Sequence, residues 1–166
     1  LIFTKNPEAL EEHFKPIKIE KLILNLCEFL EILTFEKEIS LNCNLSNNEL
    51  EVLGDETLLR DIFLNVISNS IKYNKHKGEI NVTSFVKDNM LGIEISDTGI
   101  GIKKENINKI TERFFREDTV RTTKKSGSGL GLSIVSHLIE IHKGTLEIES
   151  VEGIGSKFTI YLPLIK

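Results

Sequence analysis

A chain of 166 residues with 21 basic and 25 acidic side chains, net charge −4, has no general attraction for a polyanion, so any such ligand must be held by a local site. Nonspecific binding of nucleic acid or of an anionic membrane surface is thereby excluded. The length and a composition of 40% hydrophobic and 28% charged residues suit one domain with its own core, and no apolar run approaches the roughly 20 residues that span a bilayer.

Residues 1–17 are mixed, end near Pro16, and read as a helix remnant plus linker; residues 18–166 read as the domain itself. From Ile19 to about Phe35, Leu22, Ile23, Leu26, Phe29, Leu30 and Leu33 recur at helical spacing. Short β-like runs follow at Ile39–Leu45 and Glu51–Leu53. Asp55 can cap a helix whose buried face is Leu58, Leu59, Ile62, Phe63, Val66, Ile67 and Ile71. Ile80–Val86 and Leu91–Ser96 read as a strand pair turned at Lys87–Met90. Asp97–Gly101 is a glycine turn, and Lys103–Phe115 is expected to be mostly helical. Arg116–Ser128 is polar without apolar periodicity, the pattern of a mobile loop. A helix over Gly129–His142 and strands at Thr145–Ser150 and Lys157–Leu162 complete the chain. The order predicts an α/β (α+β) two-layer sandwich: helices on one face of a mixed, mostly antiparallel sheet of about five strands. Cys27 and Cys43 belong to no CxxC or Cys/His cluster, so two free thiols in a reducing compartment are expected.

Three segments carry chemistry. In Asn65-Val66-Ile67-Ser68-Asn69-Ser70-Ile71-Lys72-Tyr73, residues Asn65, Asn69, Lys72 and Tyr73 fall at spacings of three and four, on one helical stripe or its rim. Amide oxygens are neutral hard ligands suited to Mg²⁺ that keeps water and phosphate oxygens. Lys72 offers a point charge to a phosphate, and Tyr73 a ring beside a base. The bland alternative is a polar helix edge. In Ile95-Ser96-Asp97-Thr98-Gly99-Ile100-Gly101-Ile102, a carboxylate at a strand end precedes two glycines that let backbone approach a ligand. An ionised Asp97 accepts hydrogen bonds, so it suits the exocyclic amine of adenine and repels the oxygen guanine presents there. The alternative is a plain turn. In Gly127-Ser128-Gly129-Leu130-Gly131-Leu132, three alternating glycines lead into a helix start, which favours anions through its exposed N–H groups and dipole. A flexible hinge is the alternative. No Walker lysine motif is present, and the loop follows no βαβ pattern.

In this order the segments resemble the asparagine box and two glycine boxes of the Bergerat ATP-binding fold, which DNA gyrase, the heat-shock chaperone ATPase and histidine kinases share. Glu112-Arg113-Phe114-Phe115-Arg116 resembles the phenylalanine box of histidine kinases, and the run from Gly153 to Pro163 resembles their usual close. The resemblance covers about residues 18–163. It implies a histidine kinase catalytic domain of two-component signal transduction that binds ATP and Mg²⁺. Asn69 would be the principal Mg²⁺ ligand, assisted by Asn65, and Lys72 would contact phosphate. Tyr73 would lie beside adenine or ribose. Asp97 would read the adenine amine, with Gly99, Gly101 and Ile102 shaping the pocket. Arg116, with Arg113, would meet the γ-phosphate from a lid over about 113–128 that includes Phe115. Gly127, Ser128, Gly129, Leu130, Gly131 and Leu132 would wrap the phosphates. Ser156 matches a hydroxyl position near the adenine-bound water.

Gyrase-like members carry a water-activating glutamate where this sequence has Asn65, and an amide is no general base at neutral pH. The resemblance therefore implies slow hydrolysis and phosphoryl transfer by positioning and charge neutralisation. Ser70 stands where alanine is usual, Asn74 where threonine is common, and Thr111 where the phenylalanine box starts with Phe. His13, His76, His137 and His142 lack the acidic neighbour of a phosphoacceptor and read as structural or surface residues. The acceptor histidine is expected on a dimerisation hairpin preceding this domain, with a response regulator downstream. This piece is expected to be monomeric, without nucleic-acid partners, and to be the cytoplasmic domain of a membrane-anchored sensor. A nucleotide-binding module without turnover and an anti-sigma-factor serine kinase of the same fold are the rival readings.

Overall fold

Burial sorts the apolar stripes into two layers. The computed structural model describes residues 6–45, 49–110 and 131–165. In chain order these form α1 (Pro7–Glu11), β1 (Lys15–Lys18), α2 (Ile19–Leu30) with a 3-10 turn at Glu31–Thr34, β2 (Ser40–Asn44) and β3 (Glu51–Gly54). Then come α3 (Glu56–Lys72), β4 (Glu79–Lys87), β5 (Met90–Asp97), a 3-10 turn at Lys104–Asn106, α4 (Gly131–Ile141), β6 (Thr145–Val151) and β7 (Gly155–Pro163). The main sheet has five strands in the order β2-β4-β5-β7-β6. β2 pairs parallel to β4, and the remaining pairs are antiparallel. Ile80, Val82, Ile93, Ile95, Ile160 and Leu162 on the sheet are fully buried, as are Ile23, Leu59, Ile62, Phe63, Ile67, Val135 and Leu138 on the helices. Each such side chain contributes roughly 1.5–3 kcal/mol by leaving water. This is the expected two-layer sandwich.

Three expectations are corrected. Residues 15–17, read as linker, belong to β1, which pairs antiparallel with β3 and sets Ile17 opposite Val52, both buried. A four-residue ribbon interrupted by Pro16 shows no alternation by which to recognise it. The stretch Lys103–Phe115, read as mostly helical, is over its described part a 3-10 turn followed by further turns to Ile110, and residues 111–115 lie outside the described residues. Its backbone bonds include two that span three residues, Asn106 N–H to the Lys103 carbonyl at 2.8 Å and Lys109 N–H to that of Asn106 at 2.8 Å, and one that spans four, Ile110 N–H to the Asn106 carbonyl at 3.1 Å. Cys27 on α2 and Cys43 on β2, read as free thiols, are joined as a disulfide. Their separation of 16 residues forms no motif, and only the packing of α2 against the edge strand brings them together. Residues 111–130, which hold Thr111, Arg113, Phe115, Arg116, Gly127, Ser128, Gly129 and Leu130, lie outside the described residues.

Candidate nucleotide site

Helix α3 presents the first segment. Asp55 caps it, its side chain accepting the Leu58 N–H at 2.9 Å, an interaction worth about 1 kcal/mol. Leu58, Leu59, Ile62, Phe63, Val66, Ile67 and Ile71 turn into the core. That burial fixes the opposite stripe, and Asn65, Asn69, Lys72 and Tyr73 are all half-buried. Asn65 donates its Nδ2 to the Asp61 carbonyl at 2.7 Å, which directs its oxygen outward. A Cβ added to Gly131, the first residue of α4, would lie 3.5 Å from that oxygen. The stripe of α3 and the glycine at the start of α4 therefore face each other. The Lys72 ammonium lies 5.3 Å from the centre of the Tyr73 ring, a cation–π distance that couples the two side chains.

Asp97 closes β5 at the other end. Its Oδ1 accepts the Gly99 N–H at 2.8 Å and the Ser156 N–H at 3.3 Å, and Ser70 on α3 donates to the same carboxyl. Burial raises the Asp97 pKa above the usual carboxylate value, and the hydrogen bonds from Gly99, Ser70 and Ser156 pull against that rise. A carboxylate has about four lone-pair sites, so capacity remains for one more donor. Gly101 has φ +70°, and a Cβ there would strike the Val151 carbonyl. Gly99 passes so close to the Tyr73 carbonyl that a Cβ would stand 2.6 Å from it. Both glycines thus permit a close approach that no other residue allows.

Sequence reasoning passed over several residues that hold this end together. Ser150 on β6 accepts the Ile102 N–H at 2.8 Å and lies 2.8 Å from the Ser156 hydroxyl, so it ties the glycine turn to the β6–β7 hairpin. Asn74 is buried and joins Thr98, 3.1 Å away, to the start of β4. Ser70, expected as a tolerated replacement, is an Asp97 partner. A single serine in a strand carries no sequence signal for such roles; Ser70 stood inside a recognised box. His142, expected to be structural, is buried at the end of α4. Its Nε2 accepts the Asp55 N–H at 3.2 Å, its Nδ1 bonds the Leu138 carbonyl at 2.8 Å, and Phe14 stacks on the ring at 4.7 Å. It thereby locks the start of α3 to the end of α4.

Among the described residues no cluster of three or more His, Cys, Asp or Glu forms a metal site. The oxygen donors on the expected stripe are the amides of Asn65 and Asn69, a set that fits Mg²⁺ sharing its coordination with water and phosphate. A separate groove of about 370 Å³ between α4 and β6, lined by Ile107, Ser136, Glu140, Thr145, Leu146 and Ile148 among others, contains none of the expected site residues.

A two-layer fold that sets an amide-bearing helix against a glycine of α4, with a half-buried aspartate at a strand end, fits a nucleotide-binding ATPase domain. The chain belongs to the histidine kinase-, DNA gyrase B- and HSP90-like ATPase family, matched over residues 54–166. Within that family its relatives are sensor histidine kinases. It is 37% identical over 158 residues to the sensor histidine kinase RppB of Synechocystis, covering 95% of this chain and 35% of RppB. It is 32% identical over 147 residues to the phosphate regulon sensor protein PhoR of Pseudomonas aeruginosa, covering 89% of this chain and 33% of PhoR. The chain thus spans about a third of the length of these relatives. Among solved structures it resembles the mycobacterial sensor histidine kinase MprB (TM-score 0.79, 26% identity, 91% of this chain and 97% of that one). It also resembles ShkA, solved with AMPPNP (TM-score 0.80, 28% identity, 93% of this chain and 32% of that one).

Proposed function

We propose that this chain binds Mg²⁺-ATP and donates the γ-phosphoryl group to a histidine on a dimerisation hairpin of the same protein, from which an aspartate on a response regulator receives it. The observation that carries this reading is the half-buried Asp97, held by Gly99, Ser70 and Ser156, together with the stripe of Asn65, Asn69 and Lys72 on α3. Asp97 accepts the adenine amine, and Ile102, Gly101 and Ser156 bound the base. Tyr73 flanks adenine or ribose. Asn69, with Asn65, holds Mg²⁺, which when bound neutralises charge between the phosphates. Lys72 contacts phosphate as a point charge. Gly131 and Leu132 contribute the helix start that favours the anionic tail. Arg113, Phe115, Arg116, Gly127, Ser128, Gly129 and Leu130 take the lid and phosphate-loop roles that their match to the family boxes implies.

The nucleophile in this reading is the incoming imidazole. Water is a poor competitor because Asn65 supplies no base, so the protein's task is to hold donor and acceptor in line. The ThkA structure with the response regulator TrrA has a matching fold (TM-score 0.75). No described helix is long and apolar enough to cross a membrane; in this reading an anchor lies elsewhere in the protein, and the residues before β1 lead in from the hairpin. The test is transfer from labelled ATP to a supplied histidine-bearing hairpin. The expected product is an acid-labile phosphohistidine. An acid-stable phosphoserine, or no transfer despite tight ATP binding, contradicts the reading.

A further inference from the structure

The C-terminal end of α3 carries Lys72 and Tyr73, and a helix end leaves carbonyl oxygens without intrahelical donors at the negative pole of its dipole. One side chain from outside the helix meets them. Lys37, half-buried between the 3-10 turn and β2, sets its ammonium 2.5 Å from the Lys72 carbonyl, 3.2 Å from that of Asn74 and 3.5 Å from that of Ile71. Three N–H donors match three oxygens. Lys37 is anchored in turn, because its own carbonyl accepts the Lys77 N–H at 2.7 Å. On the far side of the same segment, the Tyr73 carbonyl accepts the Ile100 N–H at 3.1 Å, and Gly99 packs against that carbonyl. Residues 71–74 are therefore gripped between Lys37 and the glycine turn that follows Asp97.

We propose that Lys37 is a positioning residue of the nucleotide site, fixing the end of α3 so that Lys72, Tyr73 and the Asp97 turn hold their relative places. It touches no nucleotide and acts through the three carbonyls. The consequence for binding rests on the ATP reading above; the grip itself does not. Removing the ammonium frees the segment, and the Ile100 N–H loses a fixed acceptor. Arginine keeps the charge and several donors.

Lys37→Met, Lys37→Arg and a control, Ile23→Val in the α2 core, separate this role from plain stability. Without nucleotide, amide hydrogen exchange is read at Tyr73, Asn74 and Ile100 against Ile93 in the sheet. Lys37→Met is expected to speed exchange at the first three by about tenfold or more, leaving Ile93 unchanged. Calorimetry with Mg²⁺-ADP is expected to show about tenfold weaker binding for Lys37→Met, with Lys37→Arg and Ile23→Val within about threefold of the original chain. Unchanged exchange at all three amides, or equal weakening by Ile23→Val and Lys37→Met, overturns the proposal. An original chain that takes no nucleotide sinks the ATP reading, and the exchange result then decides the grip alone.

Discussion

At the Asp97 end of the proposed site, the carboxylate, Gly99, Ile102, Ser150 and Ser156 are joined by hydrogen bonds of 2.8–3.3 Å anchored on strand ends. At the other end α3 offers two half-buried amides and an ammonium, and the Asn65 side chain donates to a carbonyl one turn back in its own helix. The first end is assembled by the protein for itself, whereas in the proposed reading the second would have its coordination completed by the bound nucleotide and Mg²⁺. In that reading base recognition is set before a ligand arrives, at a cost in stability, because burial holds the Asp97 pKa up. The phosphate end, in the same reading, would draw on partners the ligand brings. His142 and Lys37 keep the two ends in register by locking opposite ends of α3.

Substituting Asp97 by Asn gives the largest contrast. Asn keeps an oxygen for the Gly99 and Ser156 N–H groups but presents an amide to adenine, so ATP affinity measured by calorimetry should fall by about a hundredfold or more. Because the folded pKa is raised, the carboxylate costs stability above that pKa and the cost is relieved as pH falls through it. Thermal unfolding of Asp97→Asn near neutral pH should therefore occur at the same temperature as the original chain or higher. A large fall in melting temperature would mean that Asp97 mainly holds the fold together.

His142→Ala should act on both ends through stability, lowering unfolding free energy in urea by about 2–3 kcal/mol. Burial lowers the His142 pKa, against the pull of the Leu138 carbonyl and of Asp55 and Glu11. With a lowered folded pKa the unfolded chain takes up the proton first, so stability falls as pH drops below the ordinary value of 6.5. The His142 contribution to that slope should vanish in His142→Gln, and an unchanged slope would break this part of the account.

Asn69→Ala should weaken binding about tenfold in Mg²⁺ and far less in EDTA. The preference for ATP over GTP should remain. Loss of that preference would show that the two ends are not separable. Ser150→Ala is the mildest change, expected to weaken ATP binding about threefold, with its effect confined to the base end and independent of Mg²⁺.

The sheet strands and α3 were legible because alternation and the 3.6-residue stripe survive burial on one face, and Asp55 announced its helix as a cap. The asparagine stripe and Asp97 were legible because their spacing is local. What joins them was not. Lys37, Ser150 and His142 act on residues 35, 48 and 87 positions away, and long-range side-chain bonds leave no periodic trace. The β1–β3 ribbon and the Cys27–Cys43 bond escaped for the same reason.

The most direct test of the central claim is calorimetric titration of Mg²⁺-ATP into this chain beside Mg²⁺-GTP. A preorganised Asp97 pocket predicts saturable one-to-one binding of ATP, with GTP at least about a hundredfold weaker because its oxygen faces the carboxylate. A folded chain that binds ATP and GTP alike, or binds neither, would contradict it.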